Sequence, residues 1–338
     1  MQNFNLPENN MIKLSSGVFA GVENYFRYPG GELEGIKLSE RNTLVTRAGE
    51  LVPAYTETHR RKNKYSVEFH KSGAIKAVAL NETQKIQTPI GEFPAELVTF
   101  FESGELNRFF PLDGKISGLW SEEEEKKLAV PLSFELPFTS FTAIIGGVAF
   151  YRSGNIRSVT LFPGEAVDIA TKYGEIRARI GFSLYESGKL ESLEPAVPVT
   201  IQTPVGALAA FDPNAIGVNA DSNSLAFDGD GNVTALTVAH NRVAARTEDG
   251  RRLMFVPREV VNPLDNETMI TVGLKISFDY AVDAVTFDDG IKETTTLPMS
   301  RSSFTVAAHT GPMPAMCSPS GCATCSLGCA SHDVNKIK

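Results

Sequence analysis

"YRSGNIRSVTLFPGEAVDIATKYGE", residues 151–175, decides the fold. An aromatic residue, two polar residues and Gly154 lead into the alternating run "SVTLFPGEAVDIA", which ends near a second glycine, Gly174. A polar residue followed by Gly between two β-prone runs signals a hairpin, because Gly accepts the positive φ that such turns require. Alternation with a period of two is that of half-buried strands. The stretch therefore reads as short antiparallel strands joined by Gly turns.

The same opening pattern returns along the chain, as "YPGGEL" (Tyr28 to Leu33), "FHKSGAI" (Phe69 to Ile75), "FESGEL" (Phe101 to Leu106), "YESGKL" (Tyr185 to Leu190) and "FDGDGNV" (Phe227 to Val233). Each unit tends to carry a second glycine further on: Gly49, Gly91, Gly174, Gly206 and Gly250 follow Gly31, Gly73, Gly154, Gly188 and Gly231 by 18 to 20 residues. A longer period is superimposed. "KSGAI...KIQTPIG" (71–91) returns as "ESGKL...TIQTPVG" (186–206), and "RAGELVPAY" (47–55) corresponds to "KYGEIRARI" (172–180). "SEEEEKKLAVP" (121–131) likewise corresponds to "TEDGRRLMFVP" (247–257).

Residues 20–135 and 145–260 thus read as two copies of a three-unit block. A lead-in (1–19) precedes them. A closing strand group (261–310, containing "ISFDYAVDAVTFDDG" at 276–290) and a tail (311–338) follow. The expectation is an all-β repeat of hairpins forming an elongated sheet or solenoid. A six-bladed propeller is the alternative, since units of about 40 residues also suit blades. Long helices are not expected; only 121–128 is helix-prone.

Composition fits a folded protein of 338 residues, 42% hydrophobic and 21% charged. A net charge of −8 argues against nucleic acid or an anionic membrane as partner. The basic run Arg60-Arg61-Lys62-Asn63-Lys64 reads as a solvated turn. No run of about 18 apolar residues occurs, so no membrane span is expected. The N-terminus shows no secretory pattern, which makes the cytosol the expected compartment.

The aromatic-x-x-[N/S]-G-x-L turns resemble those of MORN-type bacterial repeats, and "DGKISGLW" (Asp113 to Trp120) looks like the second half of such a repeat. The resemblance implies hairpins stacked into an elongated sheet and a role as an interaction scaffold with a protein partner.

All four cysteines lie in one segment, "CSPSGCATCSLGC" (317–329), after the linker "HTGPMPAM" (His309 to Met316), which carries Gly311, Pro312 and Pro314. The linker reads as the exit from the folded body into a flexible tail. Cys317, Cys322, Cys325 and Cys329 follow C-x4-C-x2-C-x3-C, with small residues between them that let the backbone curl and bring four sulfurs together. In a reducing compartment such clusters bind metal or act in redox chemistry more often than they form structural disulfides. Only one C-x2-C is present, so a zinc ribbon fits poorly. "CSPSGCATC" is similar to the plant-type ferredoxin cluster loop, whereas Cys329, three residues on, departs from it. The candidate occupants are an iron–sulfur cluster or, alternatively, zinc or copper(I) bound by the four thiolates. Disulfides, enzymatic modification or an empty reduced tail are the competing readings, and His332 and Asp333 lie close enough to substitute as ligands.

Other motifs read as structure. "DGDGN" (228–232) starts like a calcium loop but has Val233 and Ala239 where that loop needs Gly and Glu, so it is a turn. "EEEE" (122–125) reads as a solvated charge run, Trp120 as a packed residue ending a strand, and His70 as lining a strand face. No nucleophile elbow, Walker loop or HExxH occurs, and no catalytic residue is nominated. The functional expectation is a non-catalytic repeat protein whose tail binds a metal cluster for electron transfer or metal handling. The alternative is a scaffold whose tail is a recognition, disulfide-forming or modified peptide.

Overall fold

The computed structural model describes residues 10–14, 16–216, 220–221, 223–290 and 294–309. The described residues are all-β, 55% strand and 2% helix. Fifteen strands form one open antiparallel sheet, each paired with the next along its width. It starts at Val22–Arg27, ends at Thr295–Pro298, and no described pairing joins those two strands. Separate propeller blades do not form, because neighbouring hairpins bond to each other throughout. Leu106–Phe110 pairs with Ile145–Phe150, so the sheet runs unbroken from one three-unit block into the other.

One row of apolar side chains crosses the sheet in register. It runs Ile36, Val67, Val78, Val98, Phe109, Val148, Val159, Phe182, Leu193, Leu225, Leu236, Ile276 and Phe287, each the direct cross-strand partner of the next. All thirteen are at most 2% exposed. A second layer of hairpins covers this face, including Leu44–Thr46 with Gly49–Leu51, Leu132–Leu136 with Thr139–Ala143, and Val199–Thr203 with Gly206–Ala210. Phe93, Phe109 and Phe134 stack between the layers at 5.4 and 5.7 Å. A single apolar cluster extends from Phe19 to Leu297.

The six sequence motifs are the turns along one rim of the sheet. In each, the residue that opens the turn accepts from the N–H of Gly31, Gly73, Gly104, Gly154, Gly188 or Gly231, and each glycine has φ between +77° and +96°. This is a type I turn closed by a left-handed glycine, which forces the flanking strands into one register. Adjacent turns are stapled together. Tyr28, Tyr151 and Tyr185 each donate their hydroxyl to the carbonyl just before the next turn, at Phe69, Leu184 and Phe227, over 2.7–2.8 Å. His70 takes the tyrosine position, its Nε2 3.1 Å from the Phe100 carbonyl, rather than merely lining a strand. Phe101 has no hydroxyl, and Arg152 from the next turn lies 5.4 Å above its ring. A seventh hairpin, Leu274–Asp279 with Ala284–Asp288, continues the pattern.

The second set of glycines caps the covering hairpins. Thr46, Thr88, Thr171 and Thr203 each donate their hydroxyl to the carbonyl of the glycine three residues on. Some strands serve both layers: Gly174–Leu184 pairs with Ala166–Thr171 in the cover, then bends at Gly181 (φ 142°) into the main sheet. A Cβ on Gly181 would lie 2.0 Å from the Val159 carbonyl oxygen.

The segment 113–120 carries no strand, only the isolated Ser117–Trp120 bridge, so the expected "GLW" strand is not formed. It crosses instead to the short helix Glu122–Lys126, capped by a reciprocal Ser121–Glu124 pair.

Gly188 and Gly181 separate two costs. Gly188→Ala meets nothing within 4 Å and should lose only the left-handed penalty, about 1–2 kcal/mol. Gly181→Ala adds a backbone collision and should lose about 3 kcal/mol or more in urea unfolding. Tyr185→Phe, which removes one staple, should cost about 1 kcal/mol by the same measurement.

Candidate functional site

Two open grooves lie where a covering turn overhangs the rim. The first, about 540 Å³, sits between the Thr46–Gly49 turn and the 101–105 rim turn. The second, about 450 Å³, sits between the Thr171–Gly174 turn and the 228–232 rim turn. They are corresponding places in the duplicated blocks. Val45, Thr46 and Arg47 of the first stand 125 residues before Ala170, Thr171 and Lys172 of the second. Ile75 matches Leu190 at 115 residues, while Phe100 and Gly104 match Phe227 and Gly231 at 127.

A polar contact spans each groove at the same place. Arg47 Nη1 lies 2.7 Å from Glu105 Oε1, and Lys172 Nζ lies 2.5 Å from Asn232 Oδ1. Glu105 and Asn232 are again 127 residues apart. The floor is apolar, with Phe100 3% and Phe227 2% exposed. The Ser103 hydroxyl, its own N–H and Arg47 hold the Glu105 carboxyl below its ordinary value. Slight burial pushes Asp228 up, but the Asn232 side chain and the N–H groups of Asn232 and Asp230 outweigh it and hold that carboxyl low. Both rims therefore present an ionised carboxylate beside a cation.

The residue after the threonine differs between the units. Arg47 and Lys172 stand there in the first unit of each block, Pro89 and Pro204 in the second. Pro89 settles onto a rim turn: a Cβ on Gly154 would lie 3.0 Å from its Cβ. Arg47, Lys172 and their partners were not nominated from sequence, although the correspondence of 47–55 with 172–180 contained the signal.

Two ionic clusters, the first buried and the second half-buried, hold crossing segments down. Arg60 bonds Glu96 and Glu125 with four contacts of 2.7–2.9 Å. Glu125 also accepts from Trp120 Nε1 at 2.7 Å and from the Gly114 N–H at 2.8 Å. This corrects two expectations. Arg60 is not in a solvated turn, and Glu125, 4% exposed, is not part of a solvated run, because each neutralises the other beneath the 113–120 segment. Arg61 likewise donates to the carbonyls of Leu80 and Asn81. In the second cluster, Asp221 joins Arg108, Arg157 and Ser158.

Asp228 spends its carboxylate on the N–H groups of Asp230 and Asn232 and the Asn232 amide, so 228–232 is the expected turn. Among the described residues, no three His, Cys, Asp or Glu side chains are grouped to hold a metal, and no helix is long and apolar enough to cross a membrane. Cys317, Cys322, Cys325, Cys329, His332 and Asp333 lie outside the described residues. No family model, curated protein or solved structure matches this chain.

Burial pushes the Glu96 carboxyl up, but Arg60 and the Asp113 N–H outweigh it and hold it below its ordinary value. Its contribution is therefore present above that value and lost as the pH falls through the lowered one. Arg60→Met strands two buried carboxylates and should cost about 3–5 kcal/mol at pH 7. Buried Glu96, left without its cation, takes up a proton more readily, so the gap to the parent protein should narrow below about pH 5 in denaturation measured against pH.

Proposed function

We propose that this protein is a binding scaffold whose sheet rim holds a protein partner in the two grooves. The observation that carries the reading is the repetition of one groove, with its cross-groove contact, at corresponding positions of both blocks. Structural turns need no cation overhanging an apolar floor, and at Pro89 the same overhang is closed against the rim. The resemblance of the rim turns to MORN-type repeats, which serve mainly as scaffolds, points the same way. An elongated repeat surface also suits partners engaged along its length.

A second reading concerns the tail and rests on the confinement of all four cysteines to 317–329. Cys317, Cys322, Cys325 and Cys329 would hold a soft ion as thiolates, as an iron–sulfur cluster or as zinc or copper(I), and a reducing cytosol would keep them available. The two readings are compatible: the sheet docks a partner and the tail delivers the metal centre to it.

Pull-downs with the full chain, a 1–310 truncation and an Arg47→Glu/Lys172→Glu double variant distinguish them. The partner should survive truncation, which keeps the final strand Ser303–Ala308, and be lost from the double variant. Loss on truncation alone would move binding to the tail. For the tail, anaerobic purification should give coloured protein with stoichiometric iron and sulfide, or bound zinc or copper. Colourless, metal-free protein with four titratable thiols would remove the metal reading.

A further inference from the structure

The five histidines are dispersed in sequence, but the fold brings two of them together. His309 donates its N–H to the His240 carbonyl over 2.8 Å. That contact lies one step beyond the last register pair, Asn241 with Ala308, of the strands Asn241–Arg246 and Ser303–Ala308. The two histidines, 69 positions apart in the chain, therefore stand opposite each other. Opposed residues of an antiparallel pair hold their Cβ atoms about 5 Å apart on one face. His240 is exposed and His309 half-buried. Phe211 stacks on the His240 ring with centroids 6.3 Å and planes 13° apart, which steadies that imidazole without using its nitrogens. Neither imidazole has a hydrogen-bond or ion-pair partner among the described residues, whereas His70 commits its Nε2 to the Phe100 carbonyl.

Resting on the reading of the tail as a thiolate metal site, we infer that His240 and His309 are half of a tetrahedral zinc site that Cys322 and Cys325 complete. Two opposed imidazoles can both reach one ion at the usual Zn–N distance of about 2.0–2.1 Å. A pair leaves a tetrahedral ion two ligands short, and the described residues group no third His, Cys, Asp or Glu with it. The tail has its origin at this very point, because its chain continues from His309. Cys322 follows 13 residues later, a length that extends to about 43 Å, so returning to the exit point is well within reach. Gly311, Pro312 and Pro314 supply turn residues for the return. Cys322 and Cys325 form the one C-x2-C spacing in the chain, the knuckle from which both thiolates reach a single ion. Alone, that knuckle lacks the second ligand pair a zinc site needs. The histidines provide it. Two thiolates and two imidazoles suit zinc and neutralise its charge. The site fastens the tail to the end of the seam between Asn241–Arg246 and Ser303–Ala308.

The test adds the metal alone to the full chain, purified reduced and metal-free. One equivalent of cobalt(II) should give the visible bands of a tetrahedral site. Its sulfur-to-cobalt absorption should be that of two thiolates, about half that of an all-thiolate site, and zinc should abolish the colour. His240→Ala and His309→Ala should each weaken zinc binding by at least the about 10- to 100-fold that losing an outer-shell partner costs. His59→Ala, exposed elsewhere on the surface, should not. Zinc should also raise the unfolding midpoint of the parent and leave that of the His240→Ala/His309→Ala double variant where it was. Circular dichroism of the variants checks that the sheet is retained. Unchanged zinc affinity in both histidine variants, with the cobalt spectrum of four thiolates, overturns the inference and leaves the tail reading standing as a site made by the tail alone. A full chain that takes up neither metal and is purified colourless, with four titratable thiols, removes both.

Discussion

The row of thirteen buried side chains running from Ile36 to Phe287 is the constraint on which the rest depends. Each member is the direct cross-strand partner of the next, so the sheet's width is held by continuous contact between valine, isoleucine, leucine and phenylalanine side chains. A slip of one residue in any strand would turn its member of the row to the other face and expose it. Register is therefore set in common: the glycine-closed rim turns, the tyrosine staples and the second-layer hairpins all fall where the row puts them. Packing two layers over one shared row also explains why an elongated array keeps a single core rather than one per unit.

Where the chain leaves this pattern, charge takes over from apolar contact. The segment 113–120 leaves Ile116 and Leu119 exposed rather than packed, and it is held instead by N–H groups aimed at carboxylates that Arg60 pairs with. Buried ion pairs of this kind add little net stability against well-packed apolar residues, but they tolerate few alternative arrangements once formed. They fix one path across the sheet for a segment that would otherwise have many.

What the sequence made legible follows from how local each signal was. A glycine turn is written in five consecutive residues, so all six rim turns could be placed in advance, whereas the seventh hairpin, which turns at Asp283 (φ 53°) without a glycine, was legible only as a closing strand group. The caps of the covering hairpins were marked by the second glycines for the same reason. Arg60 and Glu125 are 65 positions apart, and each looked solvated beside its charged neighbours. Only the fold brings them under one crossing segment. The grooves lie between these extremes. Their halves come from turns about 55 residues apart, so no local motif announced them, but the internal duplication repeated every piece. His70 shows the limit of type-based reading: it stands in for a tyrosine because either side chain reaches the corresponding carbonyl just before the next turn, Phe100 for His70 and Phe69 for Tyr28.

The main sheet has an odd number of strands, all antiparallel to their neighbours, so the first strand, Val22–Arg27, and the last, Thr295–Pro298, point the same way. Copies repeated by translation would therefore join first edge to last edge in parallel, the weaker pairing and one foreign to every other seam among the described residues. An antiparallel seam instead requires two like edges brought together by a two-fold axis, so an odd count steers edge-to-edge association towards isologous contacts between paired copies and away from a head-to-tail series.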